Sequence, residues 1–85
     1  MKIAEIHPQS EWKLSVVADD GRVGVFDASP YLIYEAFEAL RDLGEFVKVS
    51  NGGYFIEWVC GADLSADTIE AAWRVMEKPV ARHTA

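Results

Sequence analysis

Between Trp12 and Asp27 apolar and polar residues alternate: Trp12, Leu14 and Val16 against Lys13 and Ser15, then Val23 and Val25 against Arg22 and Gly24. A period of two predicts strands with one buried face, near residues 11–18 and 22–27. Asp19-Asp20-Gly21 lies between them and tolerates positive φ, so the strands are expected to pair as an antiparallel hairpin. Lys2 to Ile6, closed by His7-Pro8, is expected as a third strand beside them, because Ile3 and Ile6 suit a pleated surface.

At Ser29-Pro30 the pattern changes. Serine is a favoured N-cap and proline a favoured first helical residue, and Ile33, Ala36, Phe37 and Leu40 then fall at i, i+3, i+4 and i+7. That spacing predicts an α-helix with one apolar stripe, stopped at Gly44. Period two returns at Val47 and Val49, and at Tyr54, Ile56 and Trp58, around Asn51-Gly52-Gly53, which predicts a second hairpin. Gly61 to Leu64 reads as a turn. Asp63 or Ser65 then caps a second helix carrying Ile69, Ala72, Trp73 and Met76, ended by Pro79. The expected fold is α+β: a small antiparallel sheet, made of a three-stranded meander plus a second hairpin, with two helices packed on one face. Residues 1–78 are expected to form the single domain and 79–85 a C-terminal tail.

Composition narrows the classes. With 85 residues there is room for one core and none for a large enzyme scaffold. Hydrophobic residues make up 51% and charged ones 26%, the balance of a folded domain, neither a disordered nor a membrane-inserted chain. Three Trp, three Tyr and four Phe supply large buried area, which offsets the small size. The net charge of −6 repels a phosphate backbone, so autonomous nucleic-acid binding is not expected. One cysteine and no apolar leader at the amino end place the expected compartment in the cytoplasm.

Candidate chemistry is sparse. His7, His83 and Cys60 belong to no recognisable catalytic motif, and Cys60 after an apolar strand is expected to be a small buried hydrophobe. Asp19 and Asp20 lack the remaining oxygens of a calcium loop and read as a turn. Ser29 reads as a cap and not as a nucleophile. The glycines match no phosphate-binding pattern, and no metal or cofactor is expected. Arg74, Lys78 and Arg82 recur every four residues as favourable charges near a helix C-terminus. One surface feature carries more: on an α-helix Glu35, Glu38, Asp42 and Glu45 would share an arc of about 80°, opposite the apolar stripe. The plain reading is a solvated face. The functional one is a docking surface for a small basic protein.

The run Asp20-Gly21-Arg22-Val23-Gly24-Val25-Phe26-Asp27-Ala28-Ser29-Pro30-Tyr31-Leu32 resembles the bacterial family called domain of unknown function 2442. Phe37, Leu40 and Phe46 downstream, and Ile56-Glu57-Trp58 followed by Gly61-Ala62-Asp63-Leu64, extend the likeness over about residues 1 to 75. The family pattern there reads Trp-Pro-Asn-Gly-x-Asp, whereas Val59 and Cys60 stand here for the Pro and Asn, so no role of that Asn side chain carries over. The resemblance implies a small α+β domain with no catalytic residue. It also implies an accessory protein, since some members are fused to a helix-turn-helix domain and others are encoded beside a small protein in a toxin-antitoxin-like arrangement. Too few residues follow position 75 for a helix-turn-helix, so a DNA-related role is expected to run through a partner.

The leading expectation is a non-enzymatic interaction module, antitoxin-like or regulatory, whose acidic helix and neighbouring aromatic surface bind a small basic partner, possibly the product of a neighbouring gene. The alternative is a small-molecule-binding or enzyme-like domain with a pocket near Asp27, Tyr31 and Trp58. A homodimer through the edge strand at Lys2 to Ile6 is a third possibility.

Overall fold

A computed structural model describes residues 1–76. Two antiparallel sheets and short helical segments form an α+β fold around one continuous core. Strands β1 (Ile3–Pro8), β2 (Lys13–Ala18) and β3 (Val23–Asp27) make the expected meander. The hairpin turns at Gly21, whose φ of 96° suits only a residue without a Cβ. The second hairpin, β4 (Val49–Asn51) and β5 (Phe55–Trp58), gains a third strand, β6 (Asp63–Ser65), where a turn alone was expected. Leu64 at the centre of β6 is buried, so a single apolar residue between two exposed neighbours suffices to dock it.

Two helices were expected, and both change character. Helix α2 (Ala66–Ala72) is capped by Ser65, whose Oγ accepts from the Thr68 N–H at 3.1 Å. It ends at Trp73, six residues short of Pro79, because Trp73 turns extended (φ −76°, ψ 159°). The chain then runs as β7 (Arg74–Val75) alongside β3, giving the sheet order β1-β2-β3-β7. Trp73 explains the departure. Its ring lies where a side chain on Gly24 would be, so the sheet face is filled from α2 instead of from the strand. Met76, expected on the helix stripe, is exposed. Lys78, Pro79, Arg82, His83 and the expected tail lie outside the described residues.

The larger correction is at residues 29–46. They form 3-10 turns, Ser29–Ile33 and Glu35–Arg41, then one α-turn, α1 (Leu43–Phe46). A 3-10 segment has three residues per turn, and Tyr31, Tyr34, Phe37, Leu40, Leu43 and Phe46 recur at that interval. Leu40 and Phe46 are fully buried, whereas Ile33 and Ala36, two members of the expected stripe, are exposed. Gly44, the expected stop, sits inside α1. Ser29 does not cap the segment either. Its N–H and Oγ both donate to Asp27 Oδ1, at 3.0 and 2.7 Å.

Two indoles hold this irregular segment against the sheets. Trp12 Nε1 donates to the Leu40 carbonyl at 2.6 Å, and Trp58 Nε1 to the buried Phe46 carbonyl at 2.8 Å. They satisfy carbonyls that short helices leave without partners. The core beneath combines Leu14, Val16, Phe26, Leu40, Phe46, Ile56, Trp58 and Ile69 from every layer.

The amino-terminal end of β1 abuts the second sheet. Ile3 N–H donates to the Gly53 carbonyl (2.7 Å) and the Ile3 carbonyl accepts from Asn51 Nδ2 (2.9 Å). The first part of this edge, where pairing with a second copy was entertained, is thus occupied from within the chain.

Candidate functional site

Two surfaces carry the expected chemistry. Glu35, Glu38 and Asp42 are exposed and Glu45 is half-buried, but they do not share one helical face as expected. With three residues per turn, Glu35 and Glu38 align with Arg41, whose Nε donates to the Leu32 carbonyl at 3.1 Å. Asp42 lies beyond the 3-10 turn and caps α1, its Oδ1 accepting from the Gly44 N–H at 2.9 Å. Glu45 pairs with Lys48 at 3.0 Å. Two carboxylates therefore remain spare: neither Glu35 nor Glu38 has a cation within 4.0 Å among the described residues. Beside them stand Ile33, 75% exposed, and Tyr34, 57% exposed. The extended backbone of Tyr34 (φ −88°, ψ 142°) breaks the helical run there, and its ring also stands beside that of Tyr31.

The second surface is a cleft at the end of β3. One chamber, of about 430 Å³, is lined by Phe26, Asp27, Pro30, Tyr31, Tyr34 and Ala72. A second, of about 450 Å³, is lined by Lys13, Val25, Asp27, Ala72 and Arg74. Asp27 and Ala72 belong to both, so the chambers adjoin. Sheet register explains the grouping: Lys13 lies opposite Asp27 across β2 and β3, and Arg74 opposite Val25 across β3 and β7. Val25 and Asp27, two apart on a strand, point to the same face. The Asp27 carboxyl is held below the usual carboxylate range, first by the Ser29 N–H, then by the Ser29 hydroxyl and the nearby Lys13 charge.

Of the residues expected at a pocket, Asp27 and Tyr31 line the cleft and Trp58 does not. Trp58 is fully buried, its ring stacked on Phe46 and edge-on to Phe37. Arg74, read as a helix-terminal charge, is instead on β7 at the cleft. Lys13 and Pro30 had no part in the expected site. Val23 and Val25 were expected on the inward face of β3, but Gly24 and Phe26 face the core, so Asp27 stands on the outer face with Val25, opposite Lys13.

Cys60 is exposed, contrary to expectation. It sits in the turn between β5 and β6, and Gly61 beside it has φ 100°. His7 is exposed and hydrogen-bonded to Glu5 at 2.8 Å. Among the described residues no three His, Cys, Asp or Glu side chains converge as a metal-binding set, and no helix is long and apolar enough to cross a membrane.

The sequence model of the family described as Protein of unknown function (DUF2442) matches residues 3–75. The chain belongs to this family. The match runs from the first strand through β7, so DUF2442 takes in both sheets and the segment that carries Ile33 to Glu38. Neither the curated proteins nor the solved structures contain a match to the chain.

Proposed function

We propose that this DUF2442 protein is a non-enzymatic interaction module, antitoxin-like or regulatory, that binds a small basic protein through residues 33–38. The observation that carries this reading is the pairing of two exposed apolar side chains, Ile33 and the cleft-edge Tyr34, with two carboxylates, Glu35 and Glu38, that no cation neutralises within the described residues. Exposed large apolar groups rimmed by charge are the composition of a protein-binding patch. The charge selects the partner. A surface bearing uncompensated carboxylates on a chain of net charge −6 attracts a basic partner and speeds its encounter.

Co-purification with the product of the adjacent gene tests it. Glu35→Lys with Glu38→Lys should abolish capture at low salt, and Ile33→Ser should shorten the lifetime of the complex, while both variants keep the wild-type melting temperature within a few degrees. Capture undiminished by the charge reversal rejects the reading. A second reading, small-molecule binding, is favoured by the cleft at Asp27, where aromatic and charged groups converge in a concave site.

A further inference from the structure

The order of groups along the cleft names a ligand class for that second reading, on which this inference rests. At one end lie the rings of Tyr31 and Tyr34 with Pro30 and the edge of the buried Phe26. Tyr31 and Tyr34 are 6.3 Å apart between centroids and tilted by 59°, so both offer ring surface to the space beside them. At the junction stands Asp27. Its Oδ1 takes both Ser29 donors, and its Oδ2 accepts no hydrogen bond among the described residues. At the other end are two cations, Lys13 and Arg74. They sit two strands apart, or about 10 Å between backbones, and their long side chains flank one space over Val25.

Apolar ring, anionic acceptor, paired cations is the complement of a molecule that presents a ring, an ammonium and a carboxylate in that order. We propose that the cleft binds a free aromatic α-amino acid, its ring against Tyr31, Tyr34 and Pro30, its ammonium on Asp27 and its carboxylate between Lys13 and Arg74. Both charges must sit on one small molecule. An aromatic carboxylate leaves Asp27 facing an anion, and an aromatic amine leaves Arg74 without a counter-charge among the described residues, whereas Lys13 has the exposed Glu11 at 3.8 Å. A residue inside a peptide has neither terminal charge. A chamber of about 430 Å³ has room for a single aromatic ring and lies within the usual range for ligand sites. The cleft is open, so the affinity expected of about a dozen ligand atoms is modest, with Kd on the order of 1 mM.

Titration of the full chain with L-phenylalanine, followed by ¹⁵N NMR, tests this. Shifts should centre on Asp27, Ala72 and Arg74. Phenethylamine, 3-phenylpropionate and L-alanine, which lack in turn the carboxylate, the ammonium and the ring, should each bind about tenfold more weakly. Asp27→Asn keeps the Oδ1 acceptor for Ser29, and should erase the preference for phenylalanine over phenylpropionate. Arg74→Gln, at an exposed side chain, should erase the preference over phenethylamine. If phenylpropionate binds as well as phenylalanine, the amino-acid assignment falls and the cleft stands as a site for another ligand. If none of the four compounds shifts these residues at 20-fold the expected Kd, about 20 mM, both the assignment and the cleft reading fall.

Discussion

Gly24 and Trp73 show how one missing side chain decides where another residue goes. Gly24 is buried on β3 between Val23 and Val25, and a Cβ there would overlap the Trp73 ring. The ring also meets Arg22, whose guanidinium carbon lies 5.5 Å from the ring centroid, a cation-π distance. Gly24→Ala should therefore lower stability by about 1–3 kcal/mol, the usual cost of overpacking. Urea denaturation checks it, and an unchanged midpoint would mean that the ring is free to move aside. A cavity-forming change acts by another route. Trp58→Phe removes the donor to the Phe46 carbonyl and leaves that acceptor buried without a partner, a loss of about 1–3 kcal/mol.

The segment from Ser29 to Phe46 depends on its neighbours for its shape. Its 3-10 turns have poorer hydrogen-bond geometry than an α-helix, and Trp12, in the turn before β2, and Trp58, on β5, reach in to satisfy its carbonyls. In Trp58→Phe, amide exchange should accelerate over residues 35–46 well before it does in β2 and β3; uniform acceleration would show that the segment shares the stability of the sheets. The strands of the meander were legible because alternation is set by the pleat alone. The inward face of β3 was misread, since Gly24 and Phe26 and not Val23 and Val25 face the core, and Trp12 lies in a 3-10 turn before β2. The helical segment was misread because Ile33, Ala36, Phe37 and Leu40 fit a period of 3.6, while Tyr31, Tyr34, Phe37, Leu40 and Phe46 fit a period of three that tertiary packing selects. β7 was hidden for a related reason: Ile69, Ala72, Trp73 and Met76 continue a helical pattern, and only the hole over Gly24 draws Trp73 out of it. The candidate cleft was legible in Asp27 and Tyr31. Lys13 and Arg74 could join them only once strand register was known, and Trp58 was misplaced because an indole at the end of a strand fits a core as well as a pocket.

Across the molecule, charge ties the ends of the fold together. Arg22 Nε meets Asp20 at 2.9 Å and its Nη2 meets Glu70 of α2 at 3.0 Å, while Glu70 also receives the Met1 ammonium at 3.0 Å. The Asp20 carboxyl is held low chiefly by the Arg22 N–H, and the Glu70 carboxyl by the Met1 ammonium and then Arg22. Because these carboxylates and Asp27 titrate lower folded than unfolded, their stabilisation is full above the ordinary carboxylate pKa of about 4 and disappears as pH falls through the folded values. The Met1 amine is raised by Glu70, so its share is present below about pH 8 and lost as pH rises through its folded value. Urea midpoints should be flat between pH 5 and 7 and fall below about pH 4, with a shallower fall in Arg22→Ala; a wild-type profile indifferent to acid would show these pairs to be fully screened.

The placement of the three indoles gives the protein its own optical gauge. Trp58 is sealed in the core, while Trp12 and Trp73 are only half-buried, one over the 3-10 segment and the other over the sheet face. Emission from Trp58 should be blue-shifted and hidden from iodide until the interior opens, whereas quenching of the other two can change while the interior stays shut. Variants that retain one indole apiece would turn a single fluorescence trace into separate readings of the segment, the interior and the α2 junction.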